Sequence, residues 1–210
     1  MAVLLVVGLA VVGGAGYLLG RSASPPADDS VEAGFARDMQ VHHAQAVEMS
    51  LIVREKSSDP ALRAMAYDVI TSQQQQIGQM YAWLDGWGLP QTSSRAPMAW
   101  MSGMGHSGMA GMPSGSDSMK MLPDSRMPGM ASAADLARLK EADGRAAAVL
   151  WLQLMIPHHQ AGVMMAEAAI QKSSDPQVVK LANAIRTAQL AEIDQMRQML
   201  NDRGAVEQKP

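Results

Sequence analysis

The chain has 210 residues and a formal net charge of −3, with 17 basic and 20 acidic side chains. It contains 19 methionines, five histidines and no cysteine, and aromatic residues make up only 4%. This composition excludes disulfides, thiolate nucleophiles and zinc–thiolate sites. The lack of a basic patch argues against nucleic acid as a partner. The methionine content indicates either an adaptable core or a site for a soft metal ion.

The N-terminus begins with an uncharged apolar run, residues 2–19, near the lower length limit for crossing a membrane. Two interpretations stay open: residues 1–21 are a transmembrane anchor, or they are a cleaved signal segment. The missing basic n-region favours the anchor. Either one exports the rest of the chain, so we expect a membrane-anchored protein in the periplasm or outside the cell, secreted if the segment is cleaved. Residues 22–28 are a short tether.

Two stretches share the pattern M-x-x-H-H-x-x-x-V-x-M, one beginning at Met39 and the other at Met155. At a constant offset of 116 residues, 18 positions are identical between residues 39–88 and 155–204. Each copy holds apolar residues at helical spacing, interrupted by the same Lys-Ser-Ser-Asp-Pro turn. The repeat therefore predicts two duplicated helical hairpins.

The domain organisation follows from this repeat. The hairpins are predicted over residues 29–88 and 132–204, followed by a tail at 205–210. Packing their apolar stripes together gives an all-α, four-helix bundle, and the long connection between its second and third helices fits a ferritin-like pattern. That connection, residues 89–131, is rich in Gly, Ser, Pro and Met, so it is predicted to be disordered.

Each histidine pair lies with neighbouring methionines on one helical stripe, which faces the bundle interior or a helix–helix groove. A buried imidazole without a partner is costly, and imidazole plus thioether without thiolate favours copper, as Cu(I) or Cu(II). We therefore predict a metal site between the first and third helices. Alternatively, the histidines are hydrogen-bonded core residues and the methionines fill the core. The predicted ligands are His42, His43, His158, His159, Met39, Met49, Met155 and Met165.

Three further features bear on this site. The crossover either gathers copper or is a plain linker, and its weaker candidate ligands are Met98, Met101, Met104, His106, Met109 and Met112. Asp38 either is a surface acid or accepts a hydrogen bond from the N–H of a metal-binding imidazole. Pro157 precedes the second pair and predicts a kink there.

The segments GFARDMQVHHAQAVEM, MPGMASAADLARLKEADG and LMIPHHQAGVMMAE resemble the bacterial family known as domain of unknown function 305, over about residues 30–204. The resemblance implies a ferritin-like helical fold, copper binding and tolerance in some exported members, and the four paired histidines as metal-site positions. Members often carry Phe-Asp-Arg where this chain has Ala147, Ala148 and Val149. If the Asp of that triplet helps to hold metal or an imidazole in the family, the second half-site of this chain is weakened.

The function expected from these patterns is copper binding outside the cytoplasm, buffering the metal for homeostasis or tolerance, or transferring it to a copper-accepting protein. We expect no enzymatic activity, because no nucleophile–base pair or phosphate loop is present. Two alternatives remain: a ferritin-like, metal-dependent redox enzyme, and a structural interaction module of the cell envelope that binds no metal.

Overall fold

The computed structural model describes residues 25–102 and 126–207. Over these ranges the protein is built from five α-helices without a strand, so the predicted all-α class is confirmed. A short 3-10 turn, Ala99–Met101, lies in the crossover. The helices are α1 (Val31–Lys56), α2 (Pro60–Gly86), α3 (Ala133–Glu141), α4 (Gly144–Lys172) and α5 (Pro176–Asp202).

The repeated turn begins the second helix of each hairpin in the same way. The Asp59 carboxylate accepts hydrogen bonds from the first backbone N–H groups of α2, and Asp175 does the same for α5. The following prolines, Pro60 and Pro176, occupy the first helical position, where a missing N–H costs nothing. As a result α2 packs along α1 and α5 packs along α4. The two hairpins contact each other mainly through α1 and α4.

Two apolar clusters occupy opposite ends of the four long helices. The first cluster gathers the C-terminal halves of α1 and α5 and the N-terminal halves of α2 and α4. The second cluster gathers the other four halves. Hence α1 and α5 run in one direction while α2 and α4 run in the other, and the crossover from α2 to α4 must return along the length of the molecule.

The described ends of the crossover are packed, which corrects the prediction of disorder for them. Residues 89–102, called the strap below, are held by the Asp38 carboxylate, which accepts hydrogen bonds from Met98 N at 2.7 Å and Trp100 Nε1 at 2.8 Å. Trp100 covers Gly34 of α1 so closely that a Cβ on that glycine would overlap the indole. Composition could not predict this order, because it depends on three side chains of the strap, Met98, Trp100 and Met101, that pack against the second cluster.

The segment leading into the second hairpin is also ordered. Gly144, at a φ of +53°, begins α4 shortly after the end of α3. Gly129 lies directly against the Pro157 carbonyl, a close approach that a side chain would block. Helix α4 continues through Pro157, which lies inside its span.

The predicted N-terminal anchor, residues 1–21, lies outside the described residues and stays a prediction. Among the helices that the structure describes, none combines the length and apolar character needed to cross a membrane.

Candidate metal centre

The paired histidines lie in the middle of the molecule, between the two apolar clusters, and all four are 0% exposed. His42 on α1 faces His158 on α4 across the contact between the hairpins, with ring centroids 3.7 Å apart and planes tilted by 30°. Within each pair the rings stand 6.4 Å apart in the first copy and 6.2 Å apart in the second. The structure therefore brings the two copies together around an approximate twofold axis.

The second histidine of each pair turns back toward its own hairpin. His43 Nε2 lies 2.7 Å from Gln76 Oε1 on α2, and His159 Nε2 lies 2.8 Å from Glu192 Oε2 on α5. Both partners follow their histidine by 33 residues. The prediction that Asp38 supports an imidazole is wrong, because its carboxylate is engaged by the strap.

Most of the imidazole nitrogens have no hydrogen-bond partner among the described residues. His42 and His158 lack one at both nitrogens, and His43 and His159 lack one at Nδ1. Buried polar groups are nearly always paired, and each unpaired one costs about 1–3 kcal/mol. The fold thus keeps nitrogen lone pairs in a closed, costly position, where a bound ligand would satisfy them.

Burial keeps the imidazoles of His42, His43 and His158 neutral. It lowers the pKa of His42 and of His158 well below the ordinary value, and the neighbouring histidines add to the effect. The backbone of His42 lies near the His158 ring and raises the His158 pKa, but by less than burial lowers it. Neither ring nitrogen of His158 has a hydrogen bond of acceptable geometry in the described chain. Burial also lowers the pKa of His43 to about 3, although its bond to Gln76 opposes this. A neutral imidazole is the form that binds a metal ion.

The four predicted methionine ligands are at most 1% exposed and divide between the two clusters. Met39 and Met165 belong to the second cluster, Met49 and Met155 to the first. The four histidines, called the histidine layer below, lie between the two clusters. Each cluster therefore places one thioether from each copy of the repeat beside this layer.

The weaker candidates are placed only in part. Met98 and Met101 are buried in the second cluster together with Met39 and Met165. The others, Met104, His106, Met109 and Met112, lie outside the described residues. In the described part of the chain, no three His, Cys, Asp or Glu side chains are arranged to hold a metal ion. A complete ligand set at the centre would therefore need thioethers or a rearrangement of the imidazoles.

Sequence reasoning missed the polar residues that α2 and α5 contribute to the same layer. Gln76 and Glu192 are hydrogen-bonded to His43 and His159, called the outer histidines below. Gln73 and Gln189 are 2% exposed, and their amide atoms have no partner in the described chain. Gln189 packs so closely on Gly162 that a Cβ there would overlap it. The signal was available, because Gln73 and Gln189 are identical across the repeat and lie on the inward stripe.

The chain is an all-α protein made of two helical hairpins related by duplication, and each hairpin carries a buried His-His pair. The model of the domain of unknown function family DUF305 matches residues 32–200. The chain therefore belongs to the DUF305 family, as its motifs predicted. No curated protein matches it.

Several solved structures are similar. A DUF305 protein from Streptomyces coelicolor, described as a candidate secreted protein, has 42% identity and a TM-score of 0.75, covering 88% of this chain and 100% of that one. A DUF305 fragment from Deinococcus radiodurans has 30% identity and a TM-score of 0.63, covering 82% and 96%. CopM in its Cu(I)-bound form has 25% identity and a TM-score of 0.59, covering 82% and 96%. Its Cu(II)-bound form has 28% identity and a TM-score of 0.57, covering 82% and 97%.

Proposed function

We propose that this protein binds copper at the central histidine layer and buffers it or passes it to an accepting protein. The observation that carries this proposal is the set of buried imidazole nitrogens without partners, on two histidine pairs that face each other. A purely structural layer would be expected to satisfy these groups, since leaving them unpaired destabilises the fold.

The chemistry of the layer suits copper in either oxidation state. Neutral imidazole binds both Cu(I) and Cu(II), and thioether adds preference for Cu(I). The closely facing rings of His42 and His158 would have to rotate before their lone pairs converge on one ion. That rotation breaks no hydrogen bond of either ring, because neither ring makes one in the described structure.

The comparisons support copper as the metal. CopM, which has been crystallised with Cu(I) and with Cu(II), shares 25–28% identity with this chain over most of both proteins. We extend the similarity to a ferritin-like arrangement, because α2 and α4 run in the same direction and are joined by one long crossover. The strap methionines, Met98 and Met101, would pass copper into the second cluster from the crossover.

We propose that the protein acts outside the cytoplasm, held to the membrane by residues 1–21 or released by their cleavage. The relative from Streptomyces coelicolor, described as a candidate secreted protein, supports this location. An oxidising compartment also suits thioether and imidazole ligands, which contain no thiol to lose.

A copper titration of the full chain tests the proposal. We compare the wild type with the double variant His42→Leu/His158→Leu, which keeps the layer close to its natural volume. The double variant should lose the tightest equivalent of both Cu(I) and Cu(II). The variant His106→Ala removes the one histidine that belongs to neither His-His pair, so it should keep that equivalent. Equal copper uptake by wild type and double variant would show that the central site does not exist.

We propose binding without catalysis. The copper-loaded protein should consume O₂ no faster than an equal amount of copper held by a small imidazole ligand. Sustained turnover above that rate would instead favour the redox-enzyme alternative. The interaction-module alternative predicts that the wild type binds no copper with useful affinity, so the same titration separates all three.

A further inference from the structure

We propose that Glu192 is a positioning residue that makes the second half of the centre the preferred half for Cu(II). This inference rests on the proposed copper function and deepens it. The two half-sites share the His-His pair and the flanking methionines but differ in the partner of the second histidine: His43 Nε2 meets an amide oxygen of Gln76, and His159 Nε2 meets a carboxylate oxygen of Glu192. One protein therefore contains both a neutral amide and a charged carboxylate at equivalent positions behind a histidine, so their effects can be compared directly.

The first consequence concerns the tautomer of the outer histidines. An ionised carboxylate can only accept a hydrogen bond, so His159 must donate from Nε2. Its other nitrogen, Nδ1, then carries the lone pair, and this atom is buried without a partner in the described chain. Gln76 turns its Oε1 toward His43, so in this arrangement His43 also donates from Nε2. An amide, unlike a carboxylate, is able to donate as well and does not force the tautomer. Both outer histidines thus offer Nδ1 to a metal ion.

The second consequence concerns charge. A carboxylate behind an imidazole raises the basicity of the ligand, and its negative charge stabilises a dication more than a monocation. Glu192 has a side chain that is 20% exposed, and it forms no ion pair with Lys or Arg in the described structure. Its charge is therefore partly screened by water but is not neutralised by a neighbouring cation. Gln76 supplies the same geometry without the charge.

Three variants of the full chain separate charge from geometry: Glu192→Gln, Gln76→Glu, and the exchange Gln76→Glu/Glu192→Gln. Affinities for Cu(II) and Cu(I) are measured by chelator competition, which gives the ratio between the two oxidation states. Supporting residues of metal ligands typically change affinity 10–100-fold, so Glu192→Gln should weaken Cu(II) binding about 10-fold and Cu(I) binding less than about 3-fold. Gln76→Glu should strengthen Cu(II) binding by a similar factor.

The exchange variant is the matched control, since it holds one carboxylate and one amide like the wild type. It should return the Cu(II)-to-Cu(I) ratio to within about 3-fold of the wild-type value, a small part of the 10–100-fold range of such effects. A Glu192→Gln variant with unchanged Cu(II) affinity, in a protein that binds copper, would overturn the inference and leave the proposed function standing. A wild type that binds no copper would overturn both.

The tautomer can be tested without copper. Long-range ¹⁵N–¹H correlation spectra of the metal-free protein should show His43 and His159 protonated at Nε2. In Glu192→Leu, the Nδ1–H form of His159 should become populated while His43 stays unchanged. A wild-type His159 that is mainly protonated at Nδ1 would contradict the positioning role, whatever the copper affinities are.

Discussion

The middle of the molecule and its two ends are built on opposite principles. The ends hold Leu, Val, Met, Phe and Trp side chains that are almost completely buried in two apolar clusters. The middle is buried just as deeply but contains four imidazoles and two glutamine amides, most of whose polar atoms have no partner in the described chain. Burial that stabilises the ends therefore destabilises the middle.

The difference is the one expected if the middle of the molecule serves the proposed metal binding and the ends serve stability. Filling the middle with leucine would continue the apolar stripes of all four long helices without interruption. Both copies of the repeat instead keep His-His and Gln at equivalent positions. Functional sites are where proteins commonly depart from the rules that stabilise a fold. The following predictions test this contrast, beginning with the largest expected effect.

Acidification should destabilise the metal-free protein through its middle layer. His42, His43 and His158 have folded pKa values below 6.5, so the unfolded chain binds protons that the folded chain excludes. Stability is therefore complete above the unfolded pKa and is lost as the pH falls below it. Each histidine should cost about 1.4 kcal/mol between pH 7.5 and 5.5, giving about 4 kcal/mol for the three. Urea denaturation across this range measures the loss.

A cavity at one end should cost nearly as much. Leu62 is 0% exposed in the first cluster, and Leu62→Ala should lower the free energy of unfolding by about 3 kcal/mol at pH 7.5. Leu190, which is 43% exposed, provides the control: Leu190→Ala should change stability by less than about 0.5 kcal/mol. Equal effects at the two positions would show that the first cluster is not the stabilising core.

Replacing histidines of the middle layer by leucine should raise the free energy of unfolding instead of lowering it. The metal-free His42→Leu/His158→Leu variant should be more stable than the wild type by about 1–3 kcal/mol at pH 7.5, because unpaired polar groups are replaced by apolar groups of similar size. Its loss between pH 7.5 and 5.5 should shrink to about 1.4 kcal/mol, the share of His43. Destabilisation of the variant, with an unchanged pH dependence, would mean that these imidazoles are satisfied in solution.

Much of the fold could be predicted because its signals are local or repeated. Asp-Pro turns determine where α2 and α5 begin, since helix capping depends on residues that are close in the chain. The order of the strap could not be predicted. It depends on contacts of Asp38 and Lys172 with residues about 60 to 70 positions away in the chain, which no local pattern encodes.

The same distinction applies to the centre. The histidine pairs and the flanking methionines were recognisable from the repeat alone, because duplication of a rare residue pattern is visible in one dimension. Asp38 was given the wrong partner, and Gln76 and Glu192 were missed, since a hydrogen bond to a histidine from another helix depends on how the two helices are rotated against each other.

By itself the sequence determined that two copies of one His/Met motif exist, and that each belongs to a helical hairpin of a DUF305 protein. Tertiary structure decided how the copies meet: His42 against His158 across the hairpin contact, and His43 and His159 turned back toward Gln76 and Glu192. The reason is geometric. Adjacent helical residues point about 100° apart, so the two histidines of a pair face different neighbours, and only packing of the helices selects those neighbours.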